Sequence, residues 1–150
     1  MTLSARTLLL VLLVFALTAC GGSIAGLNNI PLYPDAKEIS QSESKLFDGL
    51  TQVAKIDTNI NRALNGKDHK IYRLPDQTAW ADVKLFYEKG MDKSSWQIIP
   101  SPSMLTEKVT LPKEISAYQT LAWVRGSQTF AIALVSSPVA TELYISLWTP

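Results

Sequence analysis

The cleanest alternation of apolar and polar positions lies in the last third of the chain. Residues 119–125, 128–135 and 142–148 are rich in β-branched and aromatic side chains, and their period of two predicts three strands. Gly126-Ser127 between the first two is a two-residue hairpin signal. That turn sets Trp123 opposite Phe130, Leu121 opposite Ile132 and Gln119 opposite Leu134. A second turn around residues 136–140 sets Leu134 opposite Leu143, Ile132 opposite Ile145 and Phe130 opposite Leu147. In this register Leu121, Trp123, Phe130, Ile132, Leu134, Leu143, Ile145 and Leu147 share one face. A slip of one residue would scatter them, so the pairing is well specified. The other face carries Thr120, Ala122, Val124, Thr129, Ala131, Ala133, Tyr144, Ser146 and Trp148.

Upstream the period changes. Trp80, Val83, Phe86, Tyr87 and Met91 fall on one side of a helix expected over residues 78–93, with Lys84 and Glu88 four apart on the other side. Asp76 or Thr78 is its expected cap. Residues 43–65 also carry a helical stripe, including Leu46, Phe47, Leu50, Val53, Ile60 and Leu64. Gly49 and the β-branched Ile56, Thr58 and Ile60 weaken it and point to a break near Asp57. Asn65-Gly66 ends it, since both residues tolerate a left-handed C-terminal position. Short strands are expected at 36–40, at 69–74 where Pro75 stops the run, and at 96–99. The expected fold is α+β: an antiparallel sheet of four or more strands with one or two helices packed on it. Helix 78–93 belongs on the apolar face. The 43–65 segment either covers the second face or leaves it open.

The first twenty residues follow a different pattern. One charge, Arg6, precedes an uninterrupted apolar run from Leu8 to Leu17, and small residues follow. That is the layout of an export signal, and the run is well short of the roughly 20 residues a membrane-spanning helix needs. Leu17-Thr18-Ala19-Cys20 resembles the lipobox of bacterial lipoproteins at every position. The resemblance implies cleavage between Ala19 and Cys20, lipid attachment to the Cys20 sulfur, and acylation of the new amino terminus. It places the protein on a membrane through acyl chains on Cys20, facing the periplasm or the cell exterior. Gly21 stands where an Asp would resemble an inner-membrane retention signal, so a two-membrane cell would send the protein to its outer membrane. Residues 20–30, rich in Gly, Asn and Ser, read as the acylated Cys and a flexible tether, leaving 31–150 as a single domain.

Charge and cysteine count narrow the possibilities. Removing residues 1–19 takes away Arg6 and leaves 131 of the 150 residues, with 13 basic and 13 acidic side chains. Such a balance argues against nucleic acid as a partner, because that needs a basic surface. Cys20 is the only cysteine, and the alkylation that the lipobox resemblance implies would leave no thiol for a disulfide. With His69 as the only histidine, the Cys/His clusters of zinc sites are missing, and neither metal nor cofactor is expected.

The mature part carries a second resemblance. Tyr33-Pro34-Asp35-Ala36, Phe86-Tyr87 with Met91 four residues on, and Trp96 ahead of three strands resemble a group of small exported bacterial domains of unassigned function. In that group the first segment tends to be Tyr-Pro-Gly-Ala, and a Gly-Trp pair precedes the sheet. Here Asp35 and Ser95 replace the two glycines. The group implies an α+β fold and supplies no catalytic residues.

Candidate chemistry is sparse. His69 lies between Asp68 and Lys70, but neighbours on a strand point to opposite faces, so Asp68 cannot orient the imidazole. Ser94-Ser95 and Ser136-Ser137 lack the Gly-x-Ser-x-Gly elbow of a hydrolase nucleophile and read as loop serines. Lys67, His69, Lys70 and Arg73 form the densest basic group, a candidate contact for anionic headgroups beside a short tether. Tyr144 and Trp148, turned away from the main core over Ala133 and Thr129, are the candidate interaction surface if that face is open. No enzyme is expected. The sequence favours a noncatalytic interaction or accessory module at the cell envelope, with an envelope protein as partner. The alternative is a binding protein holding a small apolar ligand or lipid between helix and sheet.

Overall fold

The alternating strands of the C-terminal third form the centre of a six-stranded sheet in the order β1-β2-β6-β5-β4-β3, every pair antiparallel. The strands are β1 (Lys37–Ile39), β2 (Asp68–Arg73), β3 (Gln97–Ile99), β4 (Ala117–Arg125), β5 (Gln128–Ser137) and β6 (Ala140–Trp148). The helices are α1 (Phe47–Val53), α2 (Thr58–Leu64) and α3 (Trp80–Gly90). The computed structural model describes residues 26–91, 95–99 and 110–149. The signal-like segment, Cys20, Ser94 and the polar connection at 100–109 lie outside the described residues.

Register in the three long strands follows the hydrophobic pattern. Trp123 pairs with Phe130, Leu121 with Ile132 and Gln119 with Leu134. Phe130 in turn pairs with Leu147, Ile132 with Ile145 and Leu134 with Leu143. Gly126 in the connecting turn has φ +56, a conformation that only glycine adopts without strain. At the second turn the strands run further than the sequence pattern implies, to Ser137 and from Ala140. The Ser137 hydroxyl accepts from the Val139 and Ala140 amides and holds that turn.

Each sheet face has its own core. On one, α3 lays Val83 and Tyr87 against Trp123, Phe130, Ile132, Leu143 and Ile145, joined by Met91 and Trp96. Phe130 sits at the centre of an aromatic cluster: Trp123 stacks on it at 5.4 Å, and Tyr87 and Trp96 lie 5.8 and 6.4 Å away. The Arg125 guanidinium lies 4.8 Å from the centre of the Trp96 ring. Helix α3 is shorter than the pattern implies. It begins at Trp80 with Ala79 in the cap position, and the Thr78 hydroxyl donates instead to the Pro75 carbonyl. Lys84 and Glu88 do face each other across one turn, at 3.8 Å.

The second face is covered. Helices α1 and α2 bury Leu46, Leu50, Val53, Ile60, Ala63 and Leu64 over Ala122, Ala131, Ala133, Val135 and Tyr144. Two seven-residue helices are too short to be stable alone, so their apolar face against the sheet holds them. The break between them falls at Asp57, whose Oδ1 accepts the Asn59 and Ile60 amides and caps α2. The fold is thus α+β, and among the described residues three helices rather than one or two pack on the sheet, in three layers.

Three local features depart from the sequence reading. Asn65 ends α2 at φ −113, and Gly66 also avoids the left-handed region. Gly66 is needed for space instead, because a Cβ there would sit 2.5 Å from the Ser146 Cβ. Part of the expected tether is folded: residues Leu27–Asn29 make a 3-10 turn and Leu27 is buried in the α3-side core. In the Tyr33-Pro34-Asp35-Ala36 turn, the Ala36 amide bonds the Tyr33 carbonyl at 3.2 Å and Asp35 takes φ +57. Proline followed by a positive φ is the pattern of a type II turn, whose third position favours glycine.

Candidate functional site

Tyr144 and Trp148, one face of β6 and four residues apart, meet different fates. Because α1 and α2 cover the sheet, Tyr144 is only 1% exposed, with Phe47 6.5 Å from it ring to ring. The two residues therefore do not form the open surface expected from the sequence. Only Trp148, at the end of β6 beside the last turn of α2, keeps substantial exposure at 36%.

Tyr144 belongs to a buried polar network that the sequence reading missed. Its hydroxyl donates to Glu142 Oε2 at 2.7 Å, and the Ser44 hydroxyl donates to the same oxygen at 2.5 Å. The other oxygen, Oε1, accepts from Arg73 at 2.8 Å and from the Lys45 amide at 3.1 Å. Arg73 and Glu142 stand directly opposite each other on β2 and β6, so register alone brings them together. Glu142 is fully buried. Burial pushes its carboxyl up, but the bonds from Ser44, Tyr144, Arg73 and the Lys45 amide outweigh that and hold it below the usual carboxylate range. Burial raises the Tyr144 phenol well above its ordinary range, and the neighbouring carboxylate adds to the effect.

This network is a tie between the sheet and the segment entering α1. Ser44 Oγ also accepts the Phe47 amide at 3.0 Å, which caps the start of α1. Arg73 additionally donates to the Glu43 carbonyl. A polar dent of about 510 Å³ over Ser40, Gln41, Ser42, Ser44 and Asp48 reaches Ser44, but the Glu142 side chain beneath is shut off from solvent. A charged residue at position 142, in register with Tyr144 on a face that carries no other charge in β4, β5 or β6, was the available signal.

The remaining candidates are dispersed. Of the basic group, Arg73 serves Glu142 and Lys70 pairs with Glu38 on β1 at 3.0 Å, while Lys67 and His69 are exposed. The Ser136 hydroxyl bonds the Ala117 carbonyl, and Ser137 holds its own turn. Among the described residues, no three His, Cys, Asp or Glu side chains are placed to share a metal ion, and no helix is long and apolar enough to cross a membrane. The space between α3 and the sheet is filled by Tyr87, Trp123, Phe130 and Trp96.

Trp148 lines a groove of about 430 Å³ between α2 and the end of the sheet. Its indole N–H donates to the Arg62 carbonyl at 2.8 Å, and the Ser146 hydroxyl donates to the same oxygen. That carbonyl lies in the last turn of α2, so two sheet side chains tie down the helix end. Thr58, Asn61 and Arg62, spaced three and four along α2, form one wall, with Ser127 and Thr129 opposite.

No protein-family model matches the chain, and no curated protein or solved structure matches it significantly.

Proposed function

We propose that the chain is a membrane-anchored bacterial lipoprotein, held through acylated Cys20, that acts as a noncatalytic interaction or accessory module at the cell envelope. The supporting observation is the nearness of the lipobox-like Leu17-Thr18-Ala19-Cys20 to the first buried residue, Leu27. Seven residue steps separate Cys20 from Leu27, a reach of at most about 25 Å fully extended. Whatever the domain contacts is then itself at the membrane or next to it. The contact surface of this module is the Trp148 groove, in place of a Tyr144–Trp148 sheet face.

The test is a crosslinked pull-down of the full-length protein from native membranes, with Cys20→Ser as the unanchored control. One stoichiometric partner, lost in the control, is the expected result. A Cys20→Ser protein that stays in the membrane fraction would remove the anchor from the reading. Recovery of no partner from either sample would sink the accessory role.

A further inference from the structure

The groove beside Trp148 has an aromatic floor and a mostly uncharged polar wall. Its aromatic floor is held in place, because the indole N–H is committed to the Arg62 carbonyl and the Ser146 hydroxyl shares that acceptor. The ring itself remains 36% exposed at the end of a strand whose other residues are buried. Around it stand Thr58 and Asn61 from α2, Ser127 from the β4–β5 turn, and Thr129, which pairs with Trp148 across the strands. Among the described residues, none of these four side chains has a hydrogen-bond partner. Arg62 is the one charged side chain of the lining, its guanidinium 3.4 Å from Asn59 Oδ1, and no carboxylate lines the groove.

The composition of the wall selects its ligand. A purely apolar ligand would cover these hydroxyls and the Asn61 amide without replacing their hydrogen bonds to water, which is costly. A polyanion would find a single cation. What matches is a neutral molecule with one apolar face and a rim of hydroxyl donors and acceptors, which describes a pyranose sugar. The volume of about 430 Å³ lies in the range of small-molecule sites and accommodates one or two such rings. We propose that this groove binds a saccharide, with the C–H face of a pyranose stacked on Trp148 and its hydroxyls bonded to Thr58, Asn61, Ser127 and Thr129. Arg62 stands at the rim to take a ring or carbonyl oxygen. The assignment rests on the reading of the domain as a noncatalytic binding module, and supplies its ligand class.

The test uses the full-length protein in a detergent without a sugar headgroup. It is titrated with N,N′-diacetylchitobiose and with cellobiose, followed by calorimetry and by saturation-transfer NMR. Saturable binding of at least one disaccharide is expected, with the strongest transfer to its axial C–H protons. Trp148→Ala should weaken it about tenfold, the order of one lost ring-stacking contact. Asn61→Ala should weaken it about fivefold, the order of one neutral hydrogen bond. Should Trp148→Ala loosen the end of β6, Asn61→Ala and Ser127→Ala on the groove walls carry the test alone. No saturation with either sugar, or affinity unchanged in folded groove variants, would overturn the site. If the membrane partner is still recovered by crosslinking, that failure leaves the module standing. A disaccharide returned cleaved would uphold the site and overturn the noncatalytic reading.

Discussion

At the scale of single residues, one buried side chain ties the sheet to the segment entering α1, and one turn residue holds a backbone angle that suits glycine. Glu142 is a fully buried carboxylate with a bond to each of four donors, and its partner Arg73 is about one-third exposed. A Glu142→Gln substitution keeps the size but removes the charge that Arg73, Ser44 and Tyr144 bind. We expect a loss of about 2 kcal/mol in urea unfolding at neutral pH, the order of a hydrogen bond to a charged group. The folded carboxyl titrates below its ordinary range, so the unfolded chain takes up the proton first as pH falls. The contribution of Glu142 is therefore complete above about pH 4.3 and is lost as the pH drops through the lowered folded value. Stability measured against pH should thus fall less steeply at the acid end in Glu142→Gln than in the parent. Asp35 makes the second case. Its φ of +57 suits glycine, and Asp35→Gly should raise stability by about 0.5 kcal/mol, since relief of left-handed strain exceeds the added freedom of the unfolded chain. Unchanged or lower stability would mean that the aspartate side chain supports the turn.

At the scale of elements, the short helices show how caps and tertiary contact substitute for length. Asp57 caps α2 through Oδ1 and accepts the Tyr118 hydroxyl through Oδ2 at 3.0 Å, linking α2 to β4. Burial, then the bond to Asp57, pushes the Tyr118 phenol up to about 12. Asp57→Ala should cost about 1 kcal/mol, the usual value of a lost N-cap. It should also bring the Tyr118 phenol part-way back toward its ordinary value, since burial remains. NMR titration of tyrosine labelled at the ring carbon bearing the hydroxyl separates Tyr118 from the other tyrosines and checks the second effect. A Tyr118 titration that does not move would show that burial alone sets it. The helix break at Asp57 was legible in the sequence, because a capping aspartate beside β-branched residues is a local signal. The start of α3 was not. Thr78 is a good cap by type, but its hydroxyl closes the preceding turn on Pro75, and the helix begins two residues later.

At the scale of the whole molecule, β5 and β6 supply alternate side chains to both cores. Phe130, Ile132, Ile145 and Leu147 face α3, while Ala131, Ala133 and Tyr144 face α1 and α2. Neither core can open without exposing the back of the strands that build the other, so unfolding should be a single transition. Leu50→Ala in one layer should cost about 2–5 kcal/mol. Leu50→Ala and Val83→Ala should each shift the same transition whether followed by far-UV circular dichroism or by tryptophan fluorescence. Two separated steps in either variant would show that the layers unfold independently.

Most of what the alternation of side chains along the chain governs was open to reading from sequence. The period of two, the Gly126-Ser127 turn and the need to keep Trp123, Phe130 and Ile132 on one face determined the strands and their register. The lipobox-like segment is likewise a linear pattern, and the expectation of a membrane anchor rests on it alone. The tertiary structure decided which face α1 and α2 cover, because an alanine-rich sheet face is equally suited to a packed layer and to an open surface. That choice buried Tyr144 and left Trp148 at the rim of a groove. It also joined Ser44 to Glu142, 98 residues apart, and Trp148 to the Arg62 carbonyl, 86 apart. Hydrogen bonds across such separations leave no local periodicity, and they exist only once helices and sheet have docked.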